Sequence, residues 1–443
     1  MSITGKYIRN CIALLLVSVA FGFLLLVAVY LLPVAPIKQH VFDSTWLLEK
    51  EGNYSEFLPS VFIRLHPKYN MSLKVVLLNN RGMARDNYTD SLMLGAAAYD
   101  DDGASVIQKA LLVPHDETLA EQPLESLLQY AANGSIQSPT VYPRYWHGYL
   151  VFLKPLLTVF NYSQIRIINT IILSVLLLLT LMGIHREFGK KNLVGFVLAI
   201  MFTFPIVIPY CMQYCTMTYI MLIAVNTLLY QGEDLYKKQK LIYFWLFVGI
   251  ATAYFDFLTY PALALGVGLV IQELLLSKRF ALPQKTRMKA IILSSVIWLS
   301  GYGCMWAAKW VLAQLLTDEN VITDALNQIL RRTVGEVDYQ GRRANPITAV
   351  AANFSCFTNV IFLVLIIISL VWFAVCLKKR RANGYKGDLN YVLISFIPIV
   401  WYILLTSHSF DHSSFTYRAL MVSVYALLCY AMEPKEEMQK ESV

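Results

Sequence analysis

The chain has 443 residues, of which 57% are hydrophobic and only 15% charged, with a net charge of +8. A charged share this far below the roughly 25% of soluble domains excludes an ordinary soluble globule, and the lack of alternating segments of about ten residues excludes a transmembrane barrel. Lys and Arg gather at the ends of apolar runs, which is a membrane-orientation pattern and argues against a nucleic-acid partner.

Lys6 and Arg9 precede an apolar run from Cys11 to Leu32. The run is long for the hydrophobic part of a cleaved leader, and Pro36 follows the one suitable small-residue cleavage site, so the segment reads as a retained first span. Further runs long enough for a hydrocarbon core of about 30 Å predict spans at 163–184, 192–210, 213–230, 240–255, 260–276, 289–312, 355–377, 389–406 and 416–431. With the first at 11–33, the expected fold is an all-α polytopic membrane protein of about ten transmembrane helices. Its segments are 1–33 (tail and first helix), 34–162 (a large extracytoplasmic loop), 163–312 (helices 2 to 7), 313–354 (a second such loop), 355–431 (helices 8 to 10) and 432–443 (a tail).

Six tails or short loops are basic and hold 20 of the 37 Lys and Arg: Lys6/Arg9, Arg186/Lys190/Lys191, Lys237/Lys238/Lys240, Lys278 to Lys289, Lys378 to Lys386, and Lys435/Lys440. Ten spans put all six on one side, so both termini are expected in the cytoplasm of a multi-pass cell-membrane protein. Seven cysteines are scattered without a CxxC; Cys211 and Cys215, one helical turn apart, read as small apolar fillers.

The first loop carries Asp86 and Asp90, four apart and therefore on one face of a helix. Two such carboxylates suit a base acting on an acceptor hydroxyl, with the second orienting it or holding a divalent cation; a helix start with Asp as cap explains them equally. Asp100, Asp101 and Asp102 before Gly103 read as a surface turn. Tyr142, Tyr145, Trp146 and Tyr149 form an interfacial aromatic cluster around Arg144 and His147, suited to a sugar ring or a headgroup phosphate, ahead of a short interfacial helix over 148–160. Asp256 stands between two apolar runs with no polar loop around it, a costly placement that implies a cavity, a partner or a helix cap.

The second loop places Arg331/Arg332 and Arg342/Arg343 around Glu336 and Asp338. Four arginines on the outer side run against the usual charge bias, and guanidinium forks fit phosphate oxygens. Finally, "TSHSFDHSSFTYRAL" (406–420) sets His408, Asp411, His412 and Arg418 between two spans. Its readings are the rim of a substrate site, a zinc site short of a third strong ligand, or a plain polar turn. The chain holds no credible Walker loop, dinucleotide fingerprint, GxSxG or HExxH, and the cytoplasmic loops are too short for a nucleotide domain. An activated donor would have to be membrane-borne.

A first span, a large outer loop bearing Asp86 and Asp90, an interfacial helix ahead of the second span and a later arginine-rich outer loop together resemble the GT-C superfamily of integral-membrane glycosyltransferases, in particular bacterial members associated with surface polysaccharide or protein glycosylation. The resemblance covers nearly the whole chain and is one of architecture. It implies a polyprenyl-phosphate-type sugar donor, a glycan or protein acceptor, a base or metal contact at Asp86 or Asp90, and lipid-phosphate contacts at Arg331, Arg332, Arg342 or Arg343. The superfamily's adjacent acidic pair has its nearest counterpart in Asp101-Asp102. Arg144, His147, Asp256, His408, Asp411, His412 and Arg418 are the further substrate-binding candidates. A polysaccharide polymerase or lipid-linked-glycan transporter is the alternative; a transporter calls for an ionisable group near mid-membrane, for which Lys309 is the candidate. A non-catalytic scaffold or sensor is the third reading.

Overall fold

A bilayer offers no hydrogen bonds to a bare peptide group, so apolar runs of this length fold as helices that satisfy their own backbone. The computed structural model of the chain describes residues 3–55, 63–66, 71–73, 81–100, 103–116, 122–136, 138–333 and 344–433. Among these, six helices are long and apolar enough to cross a membrane: Gly5–Tyr30, Tyr162–Met201, Met212–Lys237, Gln284–Leu316, Val360–Ala382 and Ser413–Met432. Leu241–Phe255 and Leu389–Leu404 are apolar but shorter. The chain is an all-α protein of membrane type, and the described residues add only two small two-stranded ladders.

After α1 (Ile3–Tyr30), the first loop builds a cap from α2 (Val34–Phe42), α3 (Thr45–Glu51), the antiparallel pair β1 (Ile63–His66) and β2 (Met71–Leu73), α4 (Asn87–Ala98), α5 (Val106–Leu112), β3 (Pro114–Asp116), α6 (Pro123–Asn133), β4 (Pro139–Val141) and α7 (Leu150–Leu157). β4 pairs with β3, also antiparallel. The bundle follows with α8 (Tyr162–Met201), α9 (Met212–Lys237), α10 (Leu241–Phe255), α11 (Ala262–Lys278) and α12 (Gln284–Leu316). A second loop holds α13 (Val321–Thr333) and α14 (Pro346–Ser355). Then come α15 (Val360–Ala382), α16 (Leu389–Ser395), α17 (Ile397–Leu404), the short α18 (Thr406–Asp411) and α19 (Ser413–Thr416), and α20 (Met421–Met432).

α8 breaks at Gly189, which adopts a φ of +81°, open to glycine at no steric cost. Its first limb runs beside α9, where Tyr219 donates to Asn169 and Thr180 to Asn226. The second limb returns along α20: Phe196 meets Tyr425 edge-on, and Arg418 donates to the Thr203 carbonyl. The segments expected at 163–184 and 192–210 are thus two limbs of one broken helix. The second stops at Met201 because Pro205 and Pro209 cannot continue it. The segment expected at 389–406 is likewise divided at Phe396 into α16 and α17, with Pro398 in the first turn of α17.

α11 is apolar all round and buried from Ala262 to Ser277, which makes it the central helix. α1, α12 and α15 instead turn Leu16, Phe21, Leu293, Leu299, Ile367 and Leu370 outward, as a lipid-facing sheath does. α10 and α12 pack backbone to backbone. A Cβ on Gly249 would overlap the Trp298 carbonyl, and one on Gly301 the Leu246 carbonyl. This is small-residue packing, which lets membrane helices gain contact without a hydrophobic driving force.

At one end of the bundle a buried ion network ties α11, α12 and the start of α16 together. Arg287, 1% exposed, sits between Glu273 (2.7 Å) and Asp388, while Lys278 meets Glu433 at 2.9 Å. The first loop is bolted to the other end. Trp146 donates to the Met305 carbonyl (2.7 Å), the Gly148 amide to the Tyr254 carbonyl (2.9 Å) and Lys309 to the Leu111 carbonyl (2.6 Å).

The close crossing of α10 and α12 yields a test. Gly249→Ala and Gly301→Ala should each cost about 1–3 kcal/mol through forced separation of the helices. Gly303→Ala on the same helix, where a Cβ meets nothing within 4 Å, should be neutral. Thermal unfolding of the detergent-solubilised protein reads the difference, and equal midpoints for all three would contradict this packing.

Candidate functional site

The acids of the first loop come together as expected, but they are engaged on every oxygen. Asp86 is the N-cap of α4: its Oδ1 accepts from the Thr89 amide (3.0 Å), and its Oδ2 from the Thr89 hydroxyl (3.1 Å) and from Gln213. Asp90, one turn on, accepts the Met212 amide on Oδ1 (2.9 Å) and the Tyr162 hydroxyl on Oδ2. The Met212 amide is one of the free N–H groups at the start of α9, so Asp90 seats a negative group on the positive end of that helix. Both carboxyls are buried, 4% and 0% exposed. Burial pushes both pKa values up; for Asp90 the value reaches about 7, with Arg166 pulling the other way. Arg166 is itself held by Glu51 (3.1 and 2.9 Å) and Asn87 (2.8 Å).

Arg418 closes this group. Fully buried, it donates to the carbonyls of Gly82 (2.7 Å), Thr203 (3.1 Å) and Ser414 (3.2 Å), and it lies 3.9 Å over the Tyr214 ring. Its hydrogen bonds knit the first loop, the segment just after α8 and the 413–416 turn. Asp86, Asp90 and Arg418 therefore form a clamp whose polar groups answer one another.

A second group assembles around the turn between α10 and α11. Asp256 is 3% exposed; its Oδ2 accepts from the Thr259 amide (2.9 Å), and its Oδ1 finds no partner among the described residues. Burial pushes its pKa up to about 7, against hydrogen bonds from the turn. Leu258, two residues on, takes the left-handed φ of +68°, a costly conformation for a branched side chain that tends to mark functional turns. Its carbonyl meets His408 Nε2 at 2.7 Å.

His408 also meets Arg332 through Nδ1, at 2.7 Å. A guanidinium only donates, so Nδ1 carries the lone pair and Nε2–H donates to Leu258. His408 is thus neutral, in agreement with a pKa lowered by burial first and then by His412 and Arg332. His412 lies 4.7 Å from His408, ring to ring, and stacks on Phe415 at 5.1 Å. Tyr145 lies between this turn and α12, meeting Phe257 at 5.4 Å and Trp306 at 5.2 Å.

The aromatic cluster of the first loop faces the same turn. Phe257 packs on His147 (4.9 Å), Tyr149 (5.0 Å) and Tyr145 (5.4 Å). His147 is buried in the left-handed region at φ +54° and engages the Tyr142 carbonyl through Nε2 (2.8 Å). Burial lowers its pKa well below the usual imidazole range. Arg144 pairs with Asp324 of α13 (2.8 Å) and covers the Tyr142 ring at 4.7 Å.

The thirteen candidates from the sequence therefore divide. His147 and His408 meet the 256–260 turn that carries Asp256, Arg332 and His412 reach it through His408 and Arg144 through Tyr142, and Asp86, Asp90 and Arg418 form the clamp. Arg331 and Asp411 are exposed on α13 and α18. Arg342 and Arg343 lie outside the described residues, as do Asp101, Asp102, Glu336 and Asp338. Among the described residues no group of three or more His, Cys, Asp or Glu is placed to hold a metal ion, and His408 has both nitrogens engaged.

Sequence reasoning missed Tyr162, Arg166 and Glu51 around the clamp, and the stacked Trp298, Tyr302 and Trp306 of α12. An arginine four residues into an apolar run was a signal for the first set. The four-residue spacing of Trp298, Tyr302, Trp306 and Trp310 was one for the second. No family model, no curated protein and no solved structure matches the chain.

If the clamp holds the loop, Asp90→Ala should lower stability by about 1–3 kcal/mol, since it strands the Met212 amide. Asp90→Asn, which can still accept, should cost less. Thermal unfolding at pH 7 measures both; an unchanged midpoint in Asp90→Ala would remove the clamp.

Proposed function

We propose that the chain is a membrane glycosyltransferase that moves a sugar from a polyprenyl-phosphate-type donor to an acceptor on the outer face of the membrane, in the assembly of surface polysaccharide or glycoconjugate. The observation that carries this reading is Asp256: a buried carboxylate with one oxygen unclaimed among the described residues, on the turn whose Leu258 carbonyl meets the neutral histidine that holds Arg332. A base for chemistry at neutral pH needs a pKa close to 7, and burial supplies it here.

In the reaction, the acceptor hydroxyl gives its proton to Asp256 Oδ1 as its oxygen attacks the anomeric carbon. The bond from that carbon to the phosphate oxygen breaks, and the lipid phosphate leaves with the electron pair. Arg332 neutralises the charge that grows on the phosphate, and His408 orients Arg332 by accepting from it. Asp86 and Asp90, whose oxygens are already engaged, hold the loop in place; the base role passes from them to Asp256.

In this reading the bundle crosses the membrane about ten times. The α8 limbs count as two passes, and α10, α11 and the α16–α17 pair as one each. The basic end is cytoplasmic, with both termini, and the loops face outward. The transporter alternative draws on Lys309, but that group is spoken for by the Leu111 carbonyl.

Purified protein given a polyprenyl-phosphate sugar and an acceptor should release polyprenyl phosphate. Its kcat/KM should rise with pH as Asp256 loses its proton, with a midpoint near pH 7. Asp256→Asn should lose about 100-fold or more and with it that acid limb. The folded state of this variant should not suffer above pH 7, since a buried charge has been removed. Wild-type turnover in Asp256→Asn would overturn the assignment of the base.

A further inference from the structure

α12 carries Trp298, Tyr302, Trp306 and Trp310 at four-residue intervals, so their rings form a row along one face. Trp298 stacks on Tyr302 at 5.1 Å, and Tyr302 lies 5.7 Å from Trp306. Trp401 of α17 meets Tyr302 at 6.0 Å and Trp298 at 6.5 Å. Tyr145 joins this row to the turn that carries Asp256: its ring meets Trp306 at 5.2 Å and Phe257 at 5.4 Å.

The polar edges of this row are unusual for the chain. It has eight tryptophans. Trp146, Trp245, Trp310 and Trp372 each donate their indole N–H to a named acceptor, and Trp46 is exposed. The remaining three, Trp298, Trp306 and Trp401, all belong to this cluster, and their N–H groups are shielded yet find no partner among the described residues. The Tyr302 hydroxyl and Asp256 Oδ1 share that state. Trp298, Tyr302 and Asp256 are 1%, 8% and 3% exposed. Shielded polar atoms without partners are costly, and their concentration in one place calls for something that supplies the missing hydrogen bonds.

The donor and acceptor count limits what that can be. Three indole N–H groups and a phenol donate, so the ligand must offer several oxygens; Asp256 accepts, so it must also bring a hydroxyl. Aromatic faces suit the C–H face of a ring. A hydrocarbon chain would leave every N–H stranded. A phosphate or carboxylate group would meet the Asp256 carboxyl, which repels it once ionised; Arg332, held by His408, suits it instead. We infer that the α12 row, with Trp401 and Asp256, is a subsite for a neutral, hydroxyl-bearing sugar ring, and that it rejects sugars with an acidic substituent. The inference rests on the transferase reading for its place in the reaction, but the binding chemistry stands separately.

The test uses the full-length protein in nanodiscs, with the methyl glycosides of glucose, galactose and mannose and with methyl glucuronide, followed by saturation-transfer NMR. At least one neutral glycoside should bind, and the glucuronide should not. Tyr302→Phe, Trp306→Phe and Trp401→Phe keep a ring and remove a donor, so each should weaken binding about 3- to 10-fold. Trp372→Phe, on α15 outside the row, should leave it unchanged. Variants are compared at matched thermal midpoints, and any one of the three that folds suffices.

Failure of all three neutral glycosides to bind would overturn the inference. So would equal binding of the glucuronide, or less than a two-fold change in the folded donor-removing variants. The same variants in the transfer assay separate the two claims. Sugar binding with this pattern but no transfer from any polyprenyl-phosphate sugar keeps the subsite and removes the transferase reading. Transfer that is indifferent to loss of the Tyr302 hydroxyl does the reverse.

Discussion

The Asp90 carboxylate on the first turn of α9 is the contact on which the arrangement of the loop-bearing end depends. It joins a residue of the first loop to the start of a helix 122 positions further along the chain, through the Met212 amide. The Tyr162 hydroxyl adds the start of α8, and Arg166 with Glu51 adds α3. A helix start buried without an acceptor would leave N–H groups stranded, and a carboxylate buried without donors would not stay charged. Each removes the other's cost. With the clamp closed, the chain from Tyr142 to Tyr149 lies against the 256–260 turn, where Phe257 packs on four of its rings.

The division between engaged and unengaged polar groups separates structure from chemistry here. Asp86, Asp90, Arg418, Lys154 and Lys309 are buried ionisable groups, and each makes hydrogen bonds within the fold. They behave as fastenings. Asp256 is as deeply buried but has one oxygen without a partner among the described residues, and the N–H groups of Trp298, Trp306 and Trp401 are likewise without one. Arg332 stands between the two kinds: it is held by His408, a neutral acceptor, and has no carboxylate partner among the described residues. In an enzyme that handles an anionic leaving group, an oriented but unneutralised arginine is the useful arrangement.

Much of the helical layout was legible in the apolar runs, because length and composition alone oblige such segments to be helices. Their interruptions were less so. Gly189 breaks α8 through a left-handed φ that no periodicity announces, and the second limb ends where Pro205 and Pro209 intervene. The helix start at Asp86 was readable from its spacing to Asp90, but the partners that engage both acids, Tyr162, Met212 and Gln213, lie more than 70 positions away in sequence. Local pattern cannot show whether a carboxylate's oxygens are already spoken for. Asp256 was legible for the opposite reason: a lone acid between apolar runs stays conspicuous whatever its partners. The aromatic row of α12 was present as a spacing of four, hidden by a window in which large apolar residues are common.

The transferase account stands or falls with the state of the Asp256 carboxyl. Infrared difference spectra of the protein in nanodiscs, titrated from pH 4 to pH 9 and compared with Asp256→Asn, measure it directly. The account predicts a protonated-carboxyl band that belongs to Asp256 and disappears with a midpoint near pH 7. A band that is already gone by about pH 5, as for an Asp in water, would show a solvated surface acid and contradict it.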